Sequence, residues 1–280
     1  MRIVSLLPST TEILFALGAG DDVVGVTFEC DTPAEARSRS IVSTSAMPAG
    51  LTPPEIDVFV AGAVAHGVDL YRLEADALRA LDPTLVVTQD LCAVCAVDVS
   101  TVDEALAHLG CTAEVVTVDP HTLEEVLDSV LLLGRAVGRE EAAAELVRSL
   151  RLRLAAAWRR TMGRTRPRVA VLEWTDPPYA PGHWIPEMVE LAGGECVLGT
   201  AGQKSSRIEW DELHAARPDL VVVAPCGYDR AGASLQAAAV ADRLPEGVRV
   251  HPVDADGMWA RPGPRLVDGI EELASVLRDR

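Results

Sequence analysis

Short apolar runs rich in β-branched residues recur along this chain between amphipathic stretches, and that alternation restricts it to an α/β fold built on parallel strands. Residues 2–6, 23–27, 84–88 and 114–118 have the length and composition of strands buried on both faces. A second set follows at residues 168–173, 220–224 and 248–252, with helices near 186–191 and from about 264 to 278. In the first set, Pro8-Ser9-Thr10-Thr11-Glu12 reads as a capping box with Ser9 as the cap, and Gly18 stops that helix. A second helix ends near Leu81-Asp82-Pro83, and a third covers residues 101–109, closed by Gly110.

Thr122 and Glu125 form another capping box, and from there to about residue 160 only Gly134 and Gly138 interrupt the helical pattern. The spacing predicts one long helix, which at 1.5 Å per residue would run roughly 55 Å, longer than a small lobe is wide. It reads as a strut: an N-terminal α/β lobe over 1–120, a linking helix over 121–162 and a C-terminal α/β lobe over 163–280. The halves echo one another. Leu81-Asp82-Pro83-Thr84-Leu85-Val86-Val87 is answered by Ala216-Arg217-Pro218-Asp219-Leu220-Val221-Val222, each a helix end, a proline and a buried strand.

Ligands of open α/β sheets sit outside the carboxyl ends of the strands, so the residues just after each strand carry the functional information. Glu29-Cys30-Asp31 follows the second strand, and Gln89-Asp90-Leu91-Cys92-Ala93-Val94-Cys95 follows residues 84–88. In the second half these positions hold Glu173-Trp174, Pro225-Cys226-Gly227 and Met258-Trp259-Ala260-Arg261. The opening Met-Arg-Ile-Val-Ser reads as a strand rather than a leader, and the expectation, unless a leader has been removed, is a cytoplasmic chain. In that reducing compartment, thiols are read as metal ligands or buried hydrophobes before disulfides. Cys30, Cys92, Cys95 and Cys226 fall at strand ends that could converge on one cleft, as the ligands of an iron–sulfur cluster or Zn²⁺. The bland alternative packs them under loops, and Cys111 and Cys196, after helix-end glycines, belong to the core.

Trp174, Trp184 and Trp259 lie in loops after strands, where a flat ring can line a ligand site. His183 reads equally as a metal or cofactor ligand and as a cap of the helix that follows. Arg261 precedes the last helix, where a guanidinium can hold an anion, although a surface arginine is as good a reading. Phosphate-loop, zinc-protease and nucleophile-elbow motifs are absent from the sequence. Against 42 Asp+Glu the chain has 25 Lys+Arg, a formal charge of −17 that would repel nucleic acid and anionic lipid alike. No apolar run approaches the ~20 residues of a membrane span.

Three stretches carry a resemblance: Ser5-Leu6-Leu7-Pro8-Ser9-Thr10-Thr11-Glu12-Ile13-Leu14, Leu17-Gly18-Ala19-Gly20-Asp21-Asp22-Val23-Val24-Gly25-Val26-Thr27, and Cys30-Asp31-Thr32-Pro33. With Asp82-Pro83-Thr84-Leu85-Val86 and Arg217-Pro218-Asp219-Leu220-Val221, they resemble the periplasmic binding proteins that hand cobalamin and iron siderophores to ABC importers. The resemblance implies two Rossmann-like lobes with mainly parallel sheets, joined by one long α-helix, and a ligand cleft between the lobes. Glu29, Trp174 and Trp259 match loops that face the ligand in the cobalamin branch. The cysteines depart from the aromatic loops usual in exported members.

The first expectation is therefore a cytoplasmic binding protein for a small molecule, a corrinoid or another metal-containing ligand, serving a cofactor-handling protein. Glu29, Trp174, His183, Trp184, Trp259 and Arg261 would be its contacts. The rival is a metalloprotein or enzyme in which the four cysteines hold an iron–sulfur cluster or zinc and Glu29, Asp90 and Glu173 do acid–base work. The third is the substrate-binding subunit of an ABC importer.

Overall fold

The computed structural model describes residues 1–89 and 113–278. It divides into two compact units, Met1–Asp119 with Leu127–Val147, and Pro120–Val126 with Arg148–Arg280.

The first unit is built on strands β1 (Ile3–Ser5), β2 (Val23–Val26), β3 (Ser40–Ile41), β4 (Ser43–Ser45), β5 (Tyr71–Leu73), β6 (Leu85–Thr88) and β7 (Glu114–Thr117). Five of them form a wholly parallel sheet in the order β3-β2-β1-β6-β7, and β4 pairs antiparallel with β5. The central strands β1 and β6 are buried at every position, which is why they read as unbroken apolar runs, whereas the edge strand β7 is partly exposed. Helices α1 (Pro8–Ala16), α2 (Pro53–His66) and α3 (Ala75–Leu81) belong to this unit. Val4, Leu6, Val42, Leu70, Leu78 and Val86 make one core cluster.

Helix α1 starts one residue before the expected cap. Pro8 takes the first turn, where its missing N–H costs nothing, and Leu7 is the cap residue. The hydroxyls of Thr10 and Thr11 donate to the Leu7 carbonyl, so the Ser9–Glu12 capping box does not form. Gly18 ends the helix as expected, with φ +73.

The strut expected over 121–162 is two helices, α4 (Leu123–Ala136) and α5 (Glu140–Thr161). Gly138 adopts φ +64 between them, a conformation no residue inside a helix can hold. The Thr122–Glu125 capping box forms at the start of α4, with Thr122 N–H on the Glu125 carboxylate and Glu125 N–H on Thr122 Oγ1.

The second unit contains β8 (Arg168–Leu172), β9 (Trp174–Thr175), β10 (Pro178–Ala180), β11 (Glu195–Cys196), β12 (Ser206–Arg207), β13 (Leu220–Val223) and β14 (Arg249–Pro252). Its parallel sheet runs β11-β8-β13-β14, and β12-β10-β9 form a small antiparallel sheet. The helices are α6 (Ile185–Leu191), α7 (Trp210–Ala216), α8 (Arg230–Ala239) and α9 (Leu266–Val276). The sequence echo is an echo in backbone geometry as well. After α3, Asp82 sits at φ 43, ψ 59, and after α7, Arg217 sits at φ 44, ψ 61; each is followed by proline and a fully buried strand.

Candidate functional site

In the first unit the carboxyl ends of β1 and β2 meet over the start of α1. Ser5 Oγ lies 2.7 Å from Thr10 Oγ1 and 2.9 Å from Thr11 Oγ1. Thr11 and Thr27 hydroxyls lie 3.1 and 3.3 Å from Cys30 Sγ. Every member of this network is buried, so each hydroxyl needs a partner and has one. Cys30, 2% exposed, is thus a packed, hydrogen-bonded thiol and not an open metal ligand.

Above that network, Phe28 is 40% exposed and stacks at a tilt on Tyr71, ring centres 5.9 Å apart. The Tyr71 hydroxyl donates to Glu29 Oε2 at 3.0 Å. Glu29 is where the sequence places a contact residue, but its aromatic neighbours come from the chain reversal after β2 and from β5, a strand with no apolar signature. Phe28, directly before Glu29, carries a readable signal because the chain has only three phenylalanines.

In the second unit Glu173 directly follows β8. Its carboxylate accepts the Gly182 N–H at 3.1 Å and the Ser205 hydroxyl, while burial, the larger effect, pushes its pKa up to about 7. Trp174 is half-buried against Tyr228, ring centres 5.8 Å apart and planes at 60°, and its indole N–H donates to the Asp176 carbonyl. Gly182 has no space for a side chain: a Cβ there would overlap Ser205 N and the Gln203 carbonyl. That close approach is fixed by His183 N–H bonding Gln203 O at 2.6 Å and Gly202 N–H bonding His183 O at 2.9 Å. His183 takes a left-handed conformation, φ 49, which is uncommon for a residue with a side chain. Its ring stacks on His121, centres 5.7 Å apart and planes at 29°. Burial lowers its pKa, and His121 and Lys204 lower it further, so the imidazole is neutral near pH 7.

Three expected contacts are occupied within the protein. Trp259 lies in a π-helical turn, Asp256–Ala260, and is 1% exposed; a Cβ on Gly269 would come within 3.2 Å of its indole nitrogen. Trp184, 7% exposed, donates its indole N–H to the Trp259 carbonyl at 2.8 Å. Neither turns a ring face to solvent, because each is used to pack the unit. Arg261 forms two N–H bonds to the Asp256 carboxylate, at 3.2 and 2.6 Å, which neutralises the guanidinium expected to hold an anion.

Cys226 is exposed in the turn after β13, in a different unit from Cys30. Cys92, Cys95 and Asp90 lie outside the described residues. Among the described residues no group of three His, Cys, Asp or Glu side chains is arranged to hold a metal ion. Cys196 is held by the Leu198 carbonyl, and burial pushes its thiol up to about 11, so it is inert at neutral pH. A depression of about 570 Å³ between α8 and β14 is lined by Ala237, Leu244, Pro245, Val248 and Val250 and has few polar groups to orient a ligand.

Two units, each a parallel sheet with polar and aromatic groups at the carboxyl ends of its strands, follow the plan of bilobal α/β binding proteins. The chain belongs to the periplasmic binding protein family, whose model matches residues 3–253. It is 27% identical over 289 residues to the uncharacterized ABC transporter substrate-binding lipoprotein YvrC of Bacillus subtilis (strain 168), covering 99% of this chain and 79% of that protein. Over 283 residues it is 22% identical to the vitamin B12-binding protein of Photorhabdus laumondii, covering all of this chain and 88% of the relative. It shares its fold with the periplasmic heme-binding protein HutB of Vibrio cholerae, at a TM-score of 0.72 and 18% identity, with 99% and 98% of the two chains covered.

Proposed function

We propose that this chain is the substrate-binding subunit of an ABC importer and that its ligand is a metal-bearing macrocycle, a corrinoid or a haem. The observation that carries the reading is an aromatic pair in each unit built on a residue that follows a sheet strand: Phe28 after β2, packed on Tyr71 beside Glu29, and Trp174 after β8, packed on Tyr228. Flat faces of this kind contribute apolar contact area with few rotatable bonds, which suits a rigid planar ligand. The family membership and the relatives described as binding vitamin B12 and heme support the same class.

The test is a titration of purified protein with cyanocobalamin and, separately, with hemin, followed by absorbance and by tryptophan fluorescence. One-to-one binding to one of the two is expected, weakened about tenfold, roughly 1.4 kcal/mol, by Phe28→Ala or Trp174→Ala. Binding of neither would overturn the proposal. An importer subunit works outside the cytoplasmic membrane, so fractionation of the producing cells separates this role from cytoplasmic cofactor handling.

A further inference from the structure

We propose that His121 and His183 form a two-histidine chelating site for a divalent transition-metal ion of the Zn²⁺, Ni²⁺ and Cu²⁺ class. The proposal does not rest on the macrocycle reading. The two imidazoles come from segments 62 residues apart and are brought face to face, 5.7 Å between ring centres at 29°. Two imidazoles on one tetrahedral ion, each with its nitrogen about 2 Å from the metal, have ring centres roughly 5 Å apart, so the observed separation is right for one ion once the rings turn out of the stack and each brings a nitrogen toward it.

Both rings are carried on backbone that is already fixed. His183 is held in its left-handed conformation by bonds to Gln203 and Gly202. Its ring also packs against Trp184, centres 5.5 Å apart, and that indole is anchored to Trp259. The His121 N–H bonds Glu125 Oε2 at 2.6 Å, and two residues on, the Leu123 N–H bonds Glu187 Oε2 at 2.7 Å. A ligand pair fixed before binding loses less freedom on chelation.

The donor chemistry also suits a metal. An imidazole ligates in its neutral form, so binding at this pair weakens as the pH falls and protons compete for the nitrogens. Borderline-soft ions prefer imidazole nitrogen to the carboxylates that cover the rest of this acidic surface. Glu125, coupled electrostatically to His121, favours a cation, whereas Lys204, the only lysine in the chain, opposes one. No third His, Cys, Asp or Glu among the described residues joins the pair, so water completes the coordination and the affinity is moderate.

The experiment titrates Ni²⁺ and Cu²⁺ into the untagged protein by calorimetry and records the Cu²⁺ paramagnetic resonance spectrum. One equivalent and coupling to two nitrogens are expected. His183→Ala should weaken binding roughly tenfold or more, and His121→Phe should do the same while keeping an aromatic ring in the stack, which separates ligation from folding. Lys204→Gln should tighten it. Wild-type protein that binds no metal, or a His121→Phe variant that binds as tightly as wild type, would overturn the site whatever the macrocycle titrations show.

Discussion

At the scale of single residues, position along the chain was a good guide to which side chains lie at strand ends and a poor guide to what they do there. Glu29, Trp174 and Trp259 all follow the strands expected to precede them, but Trp174 lies in the short strand β9 and Trp259 in a π-helical turn, and only Glu29 and Trp174 stay partly exposed. Trp259 is taken up by the space Gly269 leaves beside it, and no local pattern announces a glycine opposite a tryptophan ten residues earlier. Glu173 is the residue whose state depends most on its surroundings. Its folded pKa of about 7 lies above the ordinary 4.5 because burial disfavours the charged form. Between those two values the unfolded chain has given up the proton that the folded chain retains. The contribution of Glu173 to stability is therefore complete below about pH 4.5 and is lost as the pH rises through 7, a change on the order of 3 kcal/mol. Glu173→Gln, which keeps an acceptor for Gly182, should remove this slope and raise the midpoint of urea unfolding at pH 8. An unchanged pH profile would show that the carboxylate is solvated.

At the scale of elements, glycine decides where helices stop and how closely they approach. Gly134 in α4 faces Ala143 in α5 so closely that a Cβ there would overlap the Ala143 methyl. Alanine at 134 would gain about 1 kcal/mol of helix propensity but force packed backbone apart at a cost of about 1–3 kcal/mol. Gly134→Ala is accordingly expected to lower the thermal midpoint, and the double variant Gly134→Ala/Ala143→Gly to recover most of the loss; a single variant more stable than wild type would refute the close contact. Gly138→Ala, at φ +64, should cost about 1 kcal/mol because only glycine holds that conformation without strain. The sequence pattern runs straight through this junction, since apolar periodicity continues across a three-residue break, and that is why one helix is expected where two exist. The short strands β3, β4, β5, β9, β11 and β12 were equally hidden: with two or three residues each, they have no period to read.

At the scale of the whole molecule, 42 acidic against 25 basic residues means that charge repulsion acts in every folded arrangement of this chain. Raising the salt concentration from about 10 to 150 mM shortens the screening length from roughly 30 to 8 Å, so the thermal midpoint should rise; a flat response would mean that the carboxylates are already neutralised by pairs such as Arg153 with Asp268 and Glu271. The sequence by itself determined the α/β class, the parallel sheets, the repeated helix–proline–strand unit and the family, because buried strands and special backbone conformations demand particular residues within a few positions of one another. The pairing of Phe28 with Tyr71, the stacking of His121 on His183, the burial of Trp184 and Trp259 and the neutralisation of Arg261 by Asp256 were decided only by the tertiary structure. Each depends on how distant backbone segments approach, and the free energy of such a contact belongs to the space between residues and not to either residue alone.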